Sequence, residues 1–255
     1  MKKKCSANMV LYELRNLNGN LLPHFFGIIF PNVMSLLLSR TVGSQVPEPQ
    51  RGEVVTSMML SMSLVMPMSI MFLGYGCLYA TEVEKEIPLR MRLFGYSRGC
   101  EVRAKIAAHL ILLTIAFVVF AVFHAAVMHV QKPAAASLLG LVISLYAMGV
   151  IFLVIAHSIA SILRKFSLTF GVIFFLYFVI MLLTGMFGIR TEQLPGPLQA
   201  AAKLLPMTYI SNDFAGFWQG GSYNFMPFLQ AFLFMGAAAG ILLLLTPRKK
   251  GSGVA

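Results

Sequence analysis

Residues 81–105 read TEVEKEIPLRMRLFGYSRGCEVRAK and form a charged segment in an otherwise apolar chain of 255 residues. They hold four of the nine acidic residues and six of the twenty Lys and Arg residues. Apolar stretches lie on both sides, at residues 54–80 and 106–128, and each is long enough to cross a bilayer. This charged island therefore joins two predicted membrane spans, and the arrangement of the remaining chain follows from its position.

Composition predicts the class of protein. Hydrophobic residues make up 58% of the chain, charged residues only 11%, and the mean hydropathy is +0.80. A single soluble core cannot hide so many apolar side chains, so we expect an all-α membrane protein embedded in lipid. The net charge of +11 lies in short segments between apolar stretches, which is typical of membrane topology and gives no reason to expect a nucleic-acid partner.

Six apolar segments predict six transmembrane helices in one domain, residues 21–247. They lie at about residues 21–39, 54–80, 106–128, 138–163, 167–188 and 225–245. None contains Lys, Arg or Asp, each of which costs about 2.5–3.5 kcal/mol at the centre of a span. Pro23 and Asn32 make the first span the most polar, and Pro67 predicts a kink in the second.

The distribution of basic residues predicts the orientation. With the N-terminus inside, the inner segments carry fifteen Lys and Arg residues and the outer segments carry five. The five outer residues are Arg40, Arg51, Lys132, Arg190 and Lys203. This bias places the charged island, both termini and the tail at residues 248–255 in the cytoplasm.

Two segments outside the spans are also predicted to be helical. Within residues 1–20, the helical spacing of Val10, Leu14 and Leu17 predicts a surface helix on the membrane, with Leu11 on the apolar stripe and Glu13 off it. In residues 189–224, leucines alternate with prolines, which predicts short re-entrant helices that cap the outer ends of the spans. The single tryptophan, Trp218, suits a membrane interface. The region at residues 40–53 is expected to be a loop.

Within the charged island, Pro88 suits a first helical position, Gly95 a C-terminal cap and Ser97 an N-cap. A short helix at residues 88–94 is therefore predicted between two longer ones. A plain solvated loop does not need apolar side chains such as Leu93 and Phe94. Mixed charge around an apolar knob is what a docking surface for another protein needs.

The order of three features resembles a known family. They are six spans, the segment EVEKE…RLFGYSRGCEVRAK with Gly95 and a terminal Lys105 between the second and third, and LLPMTYISNDFAGFW before the last. Along essentially its whole length the chain resembles the membrane-spanning subunits of bacterial ABC exporters of the ABC-2 permease type. The resemblance implies a homodimer or heterodimer of permeases in the bacterial plasma membrane, with the substrate passing between them.

The resemblance also implies a separate ABC ATPase subunit that docks on the charged island. The expected docking residues are Glu82, Glu84, Lys85, Glu86, Arg90, Arg92, Leu93, Phe94, Gly95 and Arg98. The substrate would be a hydrophobic or amphipathic molecule such as a drug, a peptide, a lipid or a glycan-linked lipid. The residues expected to line its pathway, from the family role of the second and fifth spans, are Met62, Met66, Tyr177 and Met181.

The sequence contains no GxxxxGK[ST] segment, so ATP and Mg²⁺ are expected on the partner ATPase and no cofactor on this chain. Cys5, Cys77 and Cys100 show no zinc-site spacing and are not expected to form a disulfide framework. His124 and His157 leave an alternative open, an intramembrane metal-dependent enzyme, although a buried, hydrogen-bonded histidine is the simpler interpretation. A sensor or immunity protein that acts by binding alone is the other alternative.

Overall fold

The computed structural model describes residues 5–128, 130–186 and 191–246, and these contain helices and no strand. The predicted tail at residues 248–255 lies outside the described residues, as does Arg190. In chain order the helices are α1 (Ala7–Asn18), α2 (Leu21–Gln45), α3 (Glu48–Glu84), α4 (Ile87–Leu93), α5 (Arg98–Val127), α6 (Ala135–Leu163), α7 (Phe166–Leu183), α8 (Gly196–Lys203), α9 (Pro206–Asn212), α10 (Phe214–Trp218) and α11 (Phe225–Leu244).

Six of these helices, α2, α3, α5, α6, α7 and α11, are long and apolar enough to cross a membrane. The prediction of an all-helical protein with six spans is therefore confirmed. The loop expected at residues 40–53 is much shorter, because α2 continues to Gln45 and α3 begins at Glu48, directly after Pro47. Proline before the first turn fits a helix start, since its fixed φ suits that position and its missing N–H has no partner to lose there.

The second span, α3, lies at the centre of the bundle. In its most apolar window 83% of the residues are buried, against 22–39% in the other five spans. It packs against α6 and α7, and its middle also contacts α5. Because α3 contacts its neighbours along its whole length, it alone extends through the protein interior from the charged island to the opposite end of the bundle.

Both of the first two spans contain a π-helical stretch near a proline. In α2 it covers Phe25–Ile29, just before Pro31, and in α3 it covers Met68–Gly74, just after Pro67. Proline removes a backbone donor and disturbs the regular helix, which accounts for an irregular stretch near each proline. The kink at Pro67 stays a prediction. The two stretches pack closely, since a Cβ added at Gly27 would lie 2.6 Å from the Ile70 side chain.

The N-terminal helix α1 packs against α5, and its buried face differs from the predicted one. The buried residues are Met9, Glu13 and Leu17, whereas Leu11 is 48% exposed. The prediction that Glu13 lies off the packed stripe is wrong, because its carboxylate has a cationic partner on α5. The location of α1 at a membrane surface stays a prediction.

The segment between α7 and α11 contains the short helices α8, α9 and α10. Trp218 is buried, and its indole Nε1 donates a hydrogen bond to the carbonyl oxygen of Gln131 at 2.7 Å. The amide of Ala134 donates to the carbonyl of Trp218 at 2.8 Å. These bonds fasten α10 to the start of α6, so the tryptophan is held inside the protein. The depth of these helices in a membrane stays a prediction.

Candidate functional site

The short helix α4 is set between two long helices by well-defined ends. Glu86 has a left-handed φ of 56°, which separates α4 from α3. At its other end Gly95 has a φ of 89°, where a side chain would be strained, and the amides of Gly95 and Tyr96 donate to the carbonyls of Arg92 and Met91. These bonds form a Schellman cap, in agreement with the C-terminal cap predicted at Gly95.

Helix α5 then starts at an N-cap. The Ser97 hydroxyl accepts a hydrogen bond from the Cys100 amide at 3.2 Å, and Glu101 lies in the first turn. The cap at Gly95 ends α4 and the cap at Ser97 begins α5, so α4 is a separate short helix between α3 and α5. Its orientation relative to the two spans is therefore determined by backbone hydrogen bonds at both ends.

Helix α4 presents apolar side chains to solvent. Leu93 is 80% exposed, Phe94 67% and Leu89 43%. The predicted docking residues that are exposed with them are Glu84, Lys85, Glu86, Arg90, Arg92 and Arg98, while Gly95 is half-buried. We call this set, with Leu89, the α4 surface. An exposed apolar knob within a ring of charges is a surface suited to binding a protein partner.

Glu82, another predicted docking residue, does not lie on the α4 surface. Its side chain is buried, and the ammonium of Lys105 lies 2.7 Å from one of its oxygens and 2.6 Å from the other. Lys105 also donates to both oxygens of Glu13 at 2.8 Å. These three side chains form a buried ion triad that joins α1, α3 and α5. Glu82 therefore acts within the bundle and offers no surface to a partner.

The ion triad carries more negative than positive charge. Glu101, also buried, adds a third carboxylate near the single lysine, and one of its oxygens has no hydrogen-bond partner. Burial raises the pKa of Glu13 above its ordinary value, against the opposing effect of the Lys105 ammonium. The Asn16 amide donates to Glu82 at 2.9 Å. The helix α1 is thus attached to the two spans on either side of α4 by charged contacts.

A disulfide reinforces the same junction. Cys5, just before α1, is bonded to Cys100 in the first turn of α5, with their Cα atoms 5.3 Å apart. The expectation of no disulfide is thus wrong for this pair, because packing of α1 on α5 brings together two cysteines 95 residues apart. Cys77 is the free cysteine and is buried.

A third contact joins the charged island to the fifth span. The carboxylate of Glu84 accepts a hydrogen bond from the backbone amide of Phe166, the first residue of α7, at 2.8 Å. A carboxylate at a helix N-terminus satisfies a free amide and complements the helix dipole. The end of α3 next to α4 is therefore connected to α1, α5 and α7.

At the opposite end of the bundle lies a cavity of about 890 Å³ between α2, α3, the end of α7 and the helices α8 and α9. Its inner wall is apolar and rich in methionine and includes Phe30, Met34, Met58 and Met62. Its outer wall is polar and includes Thr208, Tyr209, Ser211 and Asn212. We call this the outer cavity. Its size lies within the range of small-molecule sites, which are roughly 300–1,000 Å³.

Two of the four predicted pathway residues line the outer cavity, namely Met62 and Met181. The other two do not reach it. Met66 is 1% exposed, and Tyr177 is buried with its hydroxyl 2.9 Å from Ser69 Oγ. In this conformation Met66 and Tyr177 pack α3 against its neighbours, and the role of all four in a pathway stays a prediction.

Comparison with known protein families decides the class. The profile of the family described as ABC-2 type transporter matches residues 12–216, which span α1 in part and every element from α2 through α9. The chain belongs to the ABC-2 type transporter family. No curated protein and no solved structure matches it. With its six apolar helices it is a multi-pass membrane protein and an ABC-2 permease.

The three described histidines within the third and fourth spans of this ABC-2 permease each have a hydrogen-bond partner. His124 lies 2.7 Å from the Ser35 hydroxyl through Nε2, and His157 lies 2.8 Å from the Tyr75 hydroxyl through Nδ1. His109 is 2.8 Å from the carbonyl of Lys105. Among the described residues no group of three His, Cys, Asp or Glu side chains is placed to hold a metal ion. The contacts of His124 and His157 join different spans, whereas the contact of His109 lies within α5.

Two functional features of the ABC-2 permease escape reasoning from the sequence. The ion triad depends on Glu13 and Lys105, which are 92 residues apart. The outer cavity depends on α8 and α9 folding back over α2 and α3. The sequence does contain one indication of the ion triad. Glu82 and Lys105 lie at the ends of two consecutive spans that face the same side of the membrane, where an unpaired charge would be costly.

Proposed function

We propose that this permease is the membrane-spanning half of a bacterial ABC exporter, driven by a separate ATPase that binds the α4 surface. The observation that carries the proposal is the exposure of Leu89, Leu93 and Phe94, surrounded by charged residues, at a short helix that ends in a Schellman cap. Membership of the ABC-2 type transporter family supports a transport role for it. Interface cores are typically apolar and their rims polar, which is the pattern of the α4 surface.

Energy for transport comes from the partner in this proposal. The sequence contains no GxxxxGK[ST] segment, so ATP and Mg²⁺ would be bound by the ATPase subunit. Closure of that subunit on α4 would move the ends of α3 and α5, since α4 is joined to both by short capped turns. The ion triad and the Glu84 contact would pass that motion to α1 and α7.

The substrate is a hydrophobic or amphipathic molecule that leaves outward between two permease subunits, in a homodimer or a heterodimer. Support comes from the outer cavity, whose wall combines methionines with polar groups. Methionine side chains are flexible and polarisable, so such a wall accommodates ligands of varied shape. Met62 and Met181 are the proposed pathway residues that reach this cavity.

The proposed location is the bacterial plasma membrane, with both termini and the α4 surface in the cytoplasm. The excess of Lys and Arg on that side, fifteen against five, supports this orientation. Reporter fusions at Gln50, Gly99 and Ser222 test it, and we expect only Gly99 to report the cytoplasm. A cytoplasmic signal at Gln50 or an external one at Gly99 would reverse the assignment.

The docking proposal is tested by charge reversal on α4. Arg90→Glu with Arg92→Glu should reduce the ATP hydrolysis that co-purifies with the tagged permease by roughly tenfold or more, because like charges across an interface cost several kcal/mol. Gly95→Pro should uncouple hydrolysis from transport, because proline cannot adopt the φ of 89°.

The matched control is Arg103→Glu, an exposed basic residue on α5 outside the α4 surface. It should retain co-purification and transport, and all variants should insert at wild-type levels. Full hydrolysis and transport in the double variant would contradict docking on α4.

The two alternative functions make different predictions. An intramembrane metal-dependent enzyme would retain a stoichiometric metal ion after purification and lose it on mutation of His124 or His157. A sensor or immunity protein that acts only by binding would show no substrate movement when reconstituted with its partner. The exporter proposal instead predicts ATP-dependent accumulation of a substrate in inverted vesicles.

A further inference from the structure

The outer cavity has an uneven charge. Four charged residues line it, and three are acidic: Glu53 on α3, Glu192, and Asp213 directly after α9. Lys203, at the end of α8, is the fourth. With all four ionised, the described lining carries a net charge of −2, in a protein whose overall charge is +11. The cavity therefore has the opposite sign from the chain as a whole.

Among the described residues, no ion pair neutralises these carboxylates. The ion pairs of the described residues are those of Glu48, Glu13 and Glu82, and none involves the cavity acids. Glu48 is paired with Arg51 and does not line the cavity. Lys203 makes no ion pair with Glu53, Glu192 or Asp213. In the described part of the chain, the cavity therefore presents three carboxylates without an ion-pair partner.

The electrostatic effect is visible at Asp213. Burial, and then the negative charge of Glu192, raise the pKa of the Asp213 carboxyl above its ordinary value. The two acids therefore influence each other across the polar wall. A cation near Asp213 would favour its ionised form, whereas an anion would be repelled by the negative charges.

The apolar part of the cavity indicates which chemical groups the ligand carries besides a positive charge. Phe30, Met58, Met62 and Met181 lie on the walls formed by α2, α3 and α7. Tyr209, on α9, is also part of the lining and is aromatic. Aromatic rings attract cations, and methionines adapt to bulky apolar groups. A compact inorganic cation would leave this wall unused.

We propose that the outer cavity binds an organic cation with a large apolar body, which is the class of molecule exported. This rests on the proposed function in naming the molecule as the exported substrate, whereas the preference for positive charge rests on the cavity alone. The apolar body packs against the methionines, and the positive group lies toward Asp213 and Glu192. A neutral lipid chain would fill the apolar wall without using the carboxylates, and an anionic lipid would meet a like charge.

The test uses two probes of nearly identical shape and opposite charge, tetraphenylphosphonium and tetraphenylborate. The full-length permease is placed in phosphatidylcholine nanodiscs, and binding of labelled tetraphenylphosphonium is measured after subtraction of empty nanodiscs. We expect saturable binding of the cation and no displacement by the anion. Asp213→Asn with Glu192→Gln should weaken binding by roughly threefold to tenfold, the range expected for the loss of partly exposed charges.

Two further variants sharpen the result. Lys203→Gln removes the one basic side chain of the described lining and should tighten binding of tetraphenylphosphonium. Glu48→Gln is the matched control, an acid on α3 that is paired with Arg51 and lies outside the cavity lining, and it should leave binding unchanged. Three results would overturn the proposal. They are equal binding of both probes, unchanged binding of tetraphenylphosphonium in the Asp213 and Glu192 double variant, and the same loss of binding in Glu48→Gln.

The outcome can be separated from that of the proposed function, because this binding assay needs no ATPase. If ATPase coupling through α4 holds but the cavity does not distinguish the two probes, the preference for cations is wrong and the exporter proposal stands. If the cavity prefers the cation while α4 variants leave hydrolysis and transport unchanged, the docking proposal is wrong and the binding site stands.

Discussion

Replacement of Lys105 by methionine should be among the most damaging single changes in the bundle. Its ammonium donates to both oxygens of Glu13 at 2.8 Å and to Glu82 at 2.7 Å, and all three side chains are buried. Methionine of similar length leaves two buried carboxylates without their cation. Breaking a buried ion pair by removing one partner costs about 3–5 kcal/mol. For a chain of this size that corresponds to a fall in Tm of roughly 6–20 °C.

Cys77 provides the assay. It is the free, buried cysteine, so a dye that fluoresces on reaction with thiols reports unfolding under non-reducing conditions. The key comparison is the variant with Glu13→Gln, Glu82→Gln and Lys105→Met together, in which none of the three charges of the ion triad is left. It should recover most of the lost stability, because replacement of a whole buried ion pair is often nearly neutral.

Arg103→Met, on the same helix but exposed, serves as control and should shift Tm by no more than a few degrees. The reasoning would be refuted if Lys105→Met had the same Tm as the wild type. It would also be refuted if the neutral triple variant were as unstable as the single one, since the damage would then come from packing.

Two further predictions use the same assay. Burial raises the pKa of Glu13, so its contribution to stability is fully present below the ordinary pKa of 4.5 and is lost as the pH rises through the raised pKa of the folded protein. Glu13→Gln should therefore flatten the dependence of Tm on pH above 4.5. Parallel slopes in the variant and the wild type would contradict this. Trp218→Phe should cost about 1–3 kcal/mol, because it leaves the carbonyl of Gln131 without its donor; an unchanged Tm would show that water or another group replaces the indole.

Much of the fold is encoded locally and is readable from the sequence. The spans stand out because long apolar runs end at charges such as Arg164 and at prolines such as Pro47, which mark helix boundaries through costs that any membrane imposes. The short helix α4 is readable from Gly95 and Ser97, because each cap needs a particular residue type at one position.

The contacts of the candidate sites were harder to predict, because they join residues far apart in the chain. Glu13 looks like a solvent-facing residue of an amphipathic helix until Lys105 is placed beside it. Cys5 and Cys100 pair for the same reason, through the packing of α1 on α5. Met66 and Met62 are alike by residue type, yet only Met62 reaches the outer cavity, since the packing of α3 decides which side chain faces it.

The π-helical stretch of α3 has a consequence for the mechanics of the bundle. Within helix α3, Glu53 lies at the outer cavity and Glu82 in the ion triad, and the stretch between them is about 44 Å long. An unbroken α-helix transmits twist and bending like a stiff rod, whereas Met68–Gly74 interrupts the regular hydrogen bonding halfway along. Any displacement passed along α3 from one site to the other would have to cross these seven buried residues, which belong to neither site.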